Sequence, residues 1–452
     1  MVVKTLLLTS YFDREYVGFP LGIAYLASVL EKNGKKVDVL DVNAKNISKK
    51  KLHRIIKKEK PDLIGISCNT GTYKEALEIA RISKDAHKKC KVVIGGPHST
   101  FSAKTILEYH PQIDFCILGE AEYTLLELVD KLENNINYYS IKGLGYRNGK
   151  KNKIFINPLR RFIENLDEIP FPSWHLFDLN NPEVEQAYNL PIFKGDKSIT
   201  IISSRGCYFT CSYCYSEKFW GNRIRYRSPK NVLNELKKLK KIGFKSVFFE
   251  DDTFTMDRKR VIDICKLILQ EGLEIKWGCA SRVDRVDLQL LKTMKKAGCI
   301  YIYYGIESSN QEIIDRAGKE IKIEDSEKAF ELMRKVGITS EASIQFGLPG
   351  ETIETAKNTI YWLKNKLKPD RIAISLTSLY PGTVLAYTYN IDGNDYEKGY
   401  KKDLFSQWKE NKFIHGVNVY QTDFCNETNL KIIYKLVKKH LGAKIVGGYI
   451  NK

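Results

Sequence analysis

Residues 203–215 read SSRGCYFTCSYCY and carry Cys207, Cys211 and Cys214, with three residues between the first pair and two between the second. Three thiolates so close together can ligate one metal centre. Three ligands rather than four leave one iron of a four-iron cluster without a protein ligand. The stretch directly follows an apolar run that is typical of a strand. The sequence therefore predicts a metal cluster with an open iron at the end of this strand.

Two other interpretations of the three cysteines are a zinc knuckle and a chance cluster. A zinc knuckle needs a fourth Cys or His close by in the sequence. The next cysteine is Cys265 and the next histidine is His415, both far along the chain. The spacing therefore favours a cluster over zinc.

The CxxxCxxC spacing resembles that of the radical S-adenosylmethionine (SAM) superfamily. The resemblance implies that Cys207, Cys211 and Cys214 hold a [4Fe-4S] cluster whose open iron binds the amino and carboxylate groups of SAM. It also implies that Tyr213 packs by the adenine. A protein reductant of the ferredoxin or flavodoxin type would then be a partner.

The composition is that of an ordinary globular chain. The 452 residues contain 43% hydrophobic and 28% charged residues, enough for several domains and a large core. The net charge is +19, which could indicate a nucleic acid partner. However, the lysines are spread along helix faces, a pattern typical of solvated surfaces. Nucleic acid binding is therefore disfavoured, and a tRNA substrate is the main way in which it could occur. The apolar N-terminal run is too short to span a membrane, and the ten cysteines do not suggest a disulfide framework. We expect a cytoplasmic protein.

The first 135 residues alternate strand and helix patterns, which predicts a Rossmann-like domain with a parallel sheet. The predicted strands are 4–9, 36–42, 62–67, 91–95 and 114–118, and the predicted helices are 20–33, 73–88, 102–109 and 121–133. Ligands of such sheets bind beyond the carboxyl ends of the strands.

The segments IGISCNTGTY, IGGPHST and ILGEAEYTLLEL at these strand ends resemble the cobalamin-binding domain that precedes the radical core in one large subfamily. The cobalamin contacts that this resemblance implies are Ser67, Asn69, Gly95, Gly96, Gly119 and Glu120. Gly95 and Gly96 would let the backbone approach the corrin or its nucleotide tail. A Rossmann domain without a cofactor is the alternative interpretation.

The sequence lacks the DxHxxG motif, with which some cobalamin proteins supply a histidine as the lower ligand of cobalt. The corresponding residues here run from Asp41 to Ala44 and contain no histidine. We therefore expect cobalamin to bind with neither its own base nor a histidine below the metal. His98 is the alternative ligand.

Residues 136–192 read as a linker with a hairpin turn at Asn148-Gly149 and an extended stretch at Pro170 and Pro172. The predicted division is a cobalamin-binding domain (1–135), a linker (136–192), a radical SAM core (193–385) and a substrate-capping region (386–452). The last of these includes a basic helix near 427–441.

Residues 195–378 carry six strand patterns with helices between them, which predicts a partial (β/α)6 barrel of the TIM type with its catalytic groups at the strand ends. The predicted strands are 199–203, 246–250, 274–279, 299–305, 339–346 and 371–376. The fold class is therefore α/β, with a Rossmann-like domain, a partial barrel and a mixed C-terminal cap.

The later strand ends supply the SAM contacts that the resemblance implies. Asp251 and Asp252 stand where many members carry GGE, the segment that holds the SAM ammonium, although both glycines are missing here. Arg282 would pair with the methionine carboxylate, Glu307 would accept from the ribose hydroxyls, and Gly347 would meet the adenine. For each of these charged residues taken singly, the alternative interpretation is that it forms a surface salt bridge and does not contact SAM.

The whole pattern resembles that of the class B radical SAM methyltransferases, which implies an enzyme that depends on cobalamin and methylates an unactivated carbon. One alternative is a cobalamin-associated radical cyclase or rearranging enzyme. Another is a methylthiotransferase, for which Cys68, Cys90 and Cys116 would form a second cluster. A cobalamin or nucleic acid binding protein with an inactive barrel is the non-enzymatic alternative, and the substrate stays open.

Overall fold

A computed structural model describes residues 2–11, 18–148, 153–390 and 427–442. These residues form two compact units. The first contains the described residues up to Asn189, and the second contains Leu190–Asn390 together with 427–442. In the described part of the chain, no helix is both long enough and apolar enough to span a bilayer.

The first unit is built on a seven-stranded sheet in the order β2-β1-β3-β4-β5-β6-β7. Its strands are β1 (Thr5–Leu8), β2 (Val37–Leu40), β3 (Leu63–Ser67), β4 (Lys91–Gly95), β5 (Phe115–Ile117), β6 (Leu144–Asn148) and β7 (Lys153–Ile156). Its helices are α1 (Leu21–Lys32), α2 (Lys49–Glu59), α3 (Tyr73–Ala86), α4 (Pro97–Tyr109), α5 (Glu122–Glu133) and α6 (Pro182–Tyr188). β1 to β5 pair in parallel, which confirms the predicted Rossmann-like sheet.

The sheet is wider than the sequence predicted. β6 pairs antiparallel with β5, and β7 pairs antiparallel with β6, so two strands of the predicted linker extend the sheet. The predicted turn at Asn148-Gly149 falls at the edge of the described residues, since Gly149 lies outside them. α2 is one of the helices whose faces were expected to carry the lysines, at residues 50–60, although no helix range was predicted there. The predicted domain boundaries stay a prediction.

The second unit is built on six parallel strands whose order in the sheet follows their order in the chain. These are β8 (Ser198–Ile201), β11 (Ser246–Phe249), β12 (Lys276–Ser281), β13 (Cys299–Glu307), β14 (Thr339–Phe346) and β15 (Arg371–Leu376), and Ser204–Arg205 (β9) and Arg225–Tyr226 (β10) form a short antiparallel ribbon. The helices are α7 (Ser216–Trp220), α8 (Pro229–Ile242), α9 (Arg258–Gln270), α10 (Leu288–Lys296), α11 (Gln311–Arg316), α12 (Ile323–Val336), α13 (Ile353–Trp362), α14 (Val384–Thr388) and α15 (Glu427–Leu441). This confirms the predicted half-barrel.

Local sequence signals set the ends of several of these helices. Ser228 accepts a hydrogen bond from Asn231 N at the start of α8, and Pro229 occupies the first turn, where its missing N–H costs nothing. Gly243 ends α8 with φ +101°, a conformation that favours glycine. The basic helix predicted near 427–441 is present as α15, while residues 391–426 and 443–452 of the predicted cap lie outside the described residues.

Candidate functional site

The three cysteines of the CxxxCxxC loop follow β8, the first strand of the half-barrel. All three are partly buried free thiols. No three His, Cys, Asp or Glu side chains of the described residues are close enough together to chelate a single metal ion. The loop nevertheless brings the thiols within electrostatic range of one another, because the charges of Cys207 and Cys211 both raise the pKa of Cys214.

Burial shapes the chemistry of these thiols. It raises the pKa of Cys207 and raises that of Cys214 to about 12. Backbone N–H groups offset part of this effect, since Phe209 N donates to Cys207 and Ser216 N donates to the Cys214 sulfur at 3.4 Å. Thiolates held in a partly buried loop with N–H donors suit an iron–sulfur cluster, whose positive iron stabilises the deprotonated sulfur. These residues therefore fit the predicted cluster.

Asp251, at the end of β11, holds the start of the cysteine loop. Its Oδ1 accepts from Ser203 N at 2.6 Å, and its Oδ2 accepts from the hydroxyls of Ser203 at 2.5 Å and Ser204 at 2.6 Å. The side chain is only 2% exposed. These hydrogen bonds make Asp251 a positioning residue for the loop, and its contact with SAM stays a prediction.

Asp252 binds the same loop at Gly206, the residue directly before Cys207. Its Oδ2 accepts from Gly206 N at 3.2 Å, and burial raises the pKa of its carboxyl. Gly206 has φ +103°, and a Cβ there would lie 2.2 Å from the Arg223 carbonyl oxygen. Only glycine fits this position, directly before Cys207. The contact of Asp252 with the SAM ammonium stays a prediction.

Arg282, at the end of β12, lies against the cysteine loop. Its guanidinium is 3.3 Å from the ring centroid of Phe209, which lies between the first two cysteines. Arg282 also bonds Asp284 (Nε to Oδ1, 3.0 Å) and the Glu320 carbonyl (3.0 Å). The guanidinium thus has an internal carboxylate partner, and its predicted pairing with the methionine carboxylate is untested.

Glu307 ends β13 in a left-handed conformation, with φ +69°. Its Oε1 accepts from the Tyr213 hydroxyl at 3.1 Å and from Lys319 Nζ at 2.8 Å. The structure therefore brings together Tyr213 and Glu307, two predicted SAM contacts that are far apart in the chain. Sequence reasoning missed Lys319, because one lysine among 73 basic residues gives no signal of burial.

Gly347 follows β14 with φ +93°, which fits the predicted turn. Its N–H donates to the Glu351 carboxylate. Burial raises the pKa of Glu351 to about 8, although the hydrogen bonds from Gly347 and Leu348 act in the opposite direction. The contact of Gly347 with adenine stays a prediction.

The predicted cobalamin residues lie at the carboxyl ends of β3, β4 and β5. Ser67 and Asn69 are exposed, whereas Glu120 is buried and accepts from Ile163 N at 2.8 Å. Gly119 has φ +70°, and its N–H donates to Thr100 Oγ1. The exposed polar groups and the glycine backbone at the carboxyl ends of these strands fit a large polar cofactor.

Gly95 and Gly96 differ in what surrounds them. A Cβ at Gly95 would have an ordinary contact 3.7 Å from Ile117. A Cβ at Gly96 would lie 2.3 Å from the Cys68 carbonyl oxygen, and φ at Gly96 is +116°. Gly96 is therefore required by the packing of β4 against the loop after β3, and Gly95 has room.

His98, the alternative cobalt ligand, and Asp41, which occupies the first position of the DxHxxG pattern, are part of the core. His98 is 1% exposed, contacts the Tyr73 ring at a centroid distance of 4.1 Å and bonds Thr70 Oγ1 at 3.1 Å. Asp41 accepts from the Tyr188 hydroxyl at 2.7 Å and from Thr9 Oγ1 at 2.9 Å. Both side chains therefore hold the domain together.

Cys68, Cys90 and Cys116, which a second cluster would need, are also core residues. Their exposed fractions are 1%, 0% and 0%, and all three belong to one apolar cluster. Burial raises the pKa of Cys116 to about 12. They act as small hydrophobic side chains.

Comparison with known proteins matches both units. Residues 12–129 match the B12 binding domain, and residues 201–363 match the Radical SAM superfamily. The chain is 37% identical over 378 residues to an uncharacterized methyltransferase, PH0819 of Pyrococcus horikoshii, covering 83% of this chain and 79% of that protein. It is 32% identical to the anaerobic magnesium-protoporphyrin IX monomethyl ester cyclase of Rubrivivax gelatinosus, covering 80% of this chain but only 64% of the cyclase.

Among solved structures, the chain is similar to the radical SAM methyltransferase TsrM of Kitasatospora setae with cobalamin and a [4Fe-4S] cluster bound. The TM-score is 0.77 at 17% identity, covering 99% of this chain and 93% of TsrM. At this identity the likeness establishes the fold, a cobalamin-binding domain followed by a radical SAM half-barrel.

Proposed function

The chain belongs to the family of B12-binding radical SAM enzymes, and on that premise we propose that it transfers a methyl group to an unactivated carbon. One observation carries the choice of methyl transfer. The 37%-identical relative, which this chain covers over 79% of its length, is named an uncharacterized methyltransferase.

We assign the cofactors to the residues that fit them. Cys207, Cys211 and Cys214 would hold a [4Fe-4S] cluster, and the carboxyl ends of β3 to β5 would hold cobalamin. The predicted SAM contacts are those at the ends of β11 to β14. When bound, the cluster supplies the electron that cleaves SAM into methionine and a 5′-deoxyadenosyl radical, and cobalamin supplies the methyl carrier.

The chain's own residues position the groups that would hold the cofactors. Asp251 and Asp252 fix the loop that carries the cysteines, through Ser203 and Gly206. Arg282 covers Phe209 on the same loop. Because Glu307 is held by Tyr213 and Lys319, its carboxylate is oriented before any ligand arrives. Such preorganisation suits radical chemistry, in which a misplaced reactive group abstracts the wrong hydrogen.

A radical cyclase is the second candidate, favoured by the 32%-identical relative. This chain covers less than two thirds of that cyclase, so the relative's extra length has no counterpart in the match. The two reactions differ in their products, because methyl transfer consumes a second SAM and leaves S-adenosylhomocysteine.

Product stoichiometry tests the proposal. Protein reconstituted anaerobically with iron, sulfide and cobalamin is incubated with SAM, dithionite and candidate substrates. Methyl transfer forms 5′-deoxyadenosine and S-adenosylhomocysteine together, and Cys211→Ala forms neither. 5′-Deoxyadenosine without S-adenosylhomocysteine would exclude methylation and favour the cyclase. About eight irons per chain would point to methylthiolation, and bound cobalamin without a cluster would point to a binding protein.

We also propose a ferredoxin or flavodoxin type of electron donor as partner and a cytoplasmic location. The described cysteines are free thiols, and an oxygen-sensitive cluster needs a reducing compartment. Nucleic acid binding has no support beyond the positive net charge.

A further inference from the structure

Lys319 and Glu307 form an ion pair inside the second unit. Lys319 Nζ lies 2.8 Å from Glu307 Oε1, and the two residues are 6% and 7% exposed. The Tyr213 hydroxyl bonds both partners at 3.1 Å. Burying a salt bridge usually brings little stability, because the desolvation cost offsets the attraction. Since stability gives little reason for an ion pair at this place, a role in function is the better explanation.

The segment that carries Lys319 is docked on the cysteine loop. Ser212 N donates to the Ala317 carbonyl at 2.9 Å, and Tyr213 packs against Ile313, Ala317 and Leu348. Lys319 Nζ also donates at 3.1 Å to the hydroxyl of Tyr213, which lies between Cys211 and Cys214 in the loop. Lys319 is thus a buried cation against the segment that carries two of the proposed cluster ligands.

Lys319 carries its charge despite burial. Burial lowers the pKa of its ammonium, but the nearby Glu307 carboxylate, Cys211 and the hydrogen bond to Glu307 raise the pKa by more, so the net direction is upward. The neighbouring backbone leaves room for the pair. A Cβ at Gly305 would lie 2.6 Å from Glu307 Oε1 and 2.9 Å from Lys319 Nζ. The missing side chain at Gly305 therefore lets the ends of both charged side chains lie against the backbone.

We propose that the Lys319–Glu307 pair sets the reduction potential of the cluster held by Cys207, Cys211 and Cys214. This inference rests on the proposed function. One electron from a low-potential donor adds one negative charge to the cluster, and no bond to a cysteine is broken. A buried cation against the cysteine loop stabilises the reduced form and raises the potential, whereas a buried carboxylate lowers it.

The test is an anaerobic redox titration of the reconstituted cluster, without SAM, followed by electron paramagnetic resonance. Lys319→Met is expected to shift the midpoint potential to more negative values, and Lys319→Arg, which keeps the charge, is expected to leave it close to wild type. Lys322→Met is the matched control, since this lysine is three positions away and exposed. It is expected to leave the midpoint unchanged.

Glu307→Gln, titrated at the lowest pH at which the cluster is intact so that the Lys319 ammonium stays protonated, is expected to give the opposite sign, because the cation has lost its counter-charge. A more positive midpoint supports the inference. Unchanged midpoints in both Lys319→Met and Glu307→Gln, or shifts of the same sign, overturn it. If Lys319→Met takes up no iron, the shift in Glu307→Gln decides alone. Wild-type protein that binds no iron refutes the proposed function instead, so the two failures are distinguishable.

Discussion

Asp251 holds Ser203 by two hydrogen bonds, from Ser203 N to Oδ1 at 2.6 Å and from Ser203 Oγ to Oδ2 at 2.5 Å. Ser203 lies just before the cysteine loop, and Asp251 comes from the neighbouring strand. The geometry of the proposed cluster site therefore depends on a carboxylate that is not one of the three proposed cluster ligands.

Asp251→Asn should loosen the cysteine loop. The amide keeps the shape but loses the charge and one acceptor, and a buried hydrogen bond to a charged group contributes about 1.5–3 kcal/mol. We expect a lower melting temperature and an iron content well below about four per chain after reconstitution. The exposed Asp85→Asn is the control and should behave as wild type. Full iron uptake by Asp251→Asn would show that the loop holds its shape without this carboxylate.

Gly96→Ala should destabilise the first unit. The added Cβ would lie 2.3 Å from the Cys68 carbonyl oxygen, and φ at this position is +116°. Backbone strain of this kind costs about 1–3 kcal/mol. Gly22→Ala is the contrast, because nothing lies within 4 Å of its Cβ position and it lies in α1. It should be stabilising by about 0.5–1 kcal/mol. Chemical denaturation measures both, and equal effects would contradict the close approach at Gly96.

Gly95→Ala should weaken cobalamin binding while leaving the stability of the fold close to that of wild type. Its Cβ would have an ordinary contact 3.7 Å from Ile117, so we expect stability close to wild type. If the backbone at Gly95 approaches the corrin or its tail, the extra methyl group weakens binding by about 1.4 kcal/mol or more, a factor of about ten. Absorption of bound cobalamin during titration measures this loss. Unchanged affinity would remove Gly95 from the cobalamin site.

Glu351 should make stability depend on pH. Burial raises the pKa of its carboxyl from 4.5 to about 8 in the folded protein. Below pH 4.5 both states hold the proton. Between pH 4.5 and 8 only the unfolded chain releases it, so stability falls as the pH rises, by up to about 1.4 kcal/mol per pH unit.

Glu351→Gln should remove this part of the pH dependence. We expect its free energy of unfolding, relative to wild type, to increase from pH 5 to pH 8 in denaturant titrations. The exposed Glu354→Gln in the following turn is the matched control and should keep the wild-type slope. Parallel curves for wild type and Glu351→Gln would contradict a raised pKa.

The sequence by itself determined the order of the two domains, five parallel strands of the first sheet and all six strands of the half-barrel. It could do so because buried strands and amphipathic helices have periodic patterns that are local. The spacing of Cys207, Cys211 and Cys214 is local too. A hairpin turn at Asn148-Gly149 was predicted, but the pairing of its strands β6 and β7 with the first sheet was not, since nothing in a short strand pattern tells which sheet it joins.

Only the tertiary structure decided how the side chains of the site pair. Tyr213 and Glu307 are 94 residues apart, and Ser203 and Asp251 are 48 apart. Asp251 and Arg282 were predicted to face SAM, but the fold gives them partners within the protein. Lys319 is indistinguishable from a surface lysine in the sequence. Burial arises from packing between distant segments, so the charges that matter around the cysteines could be recognised only after the chain had folded.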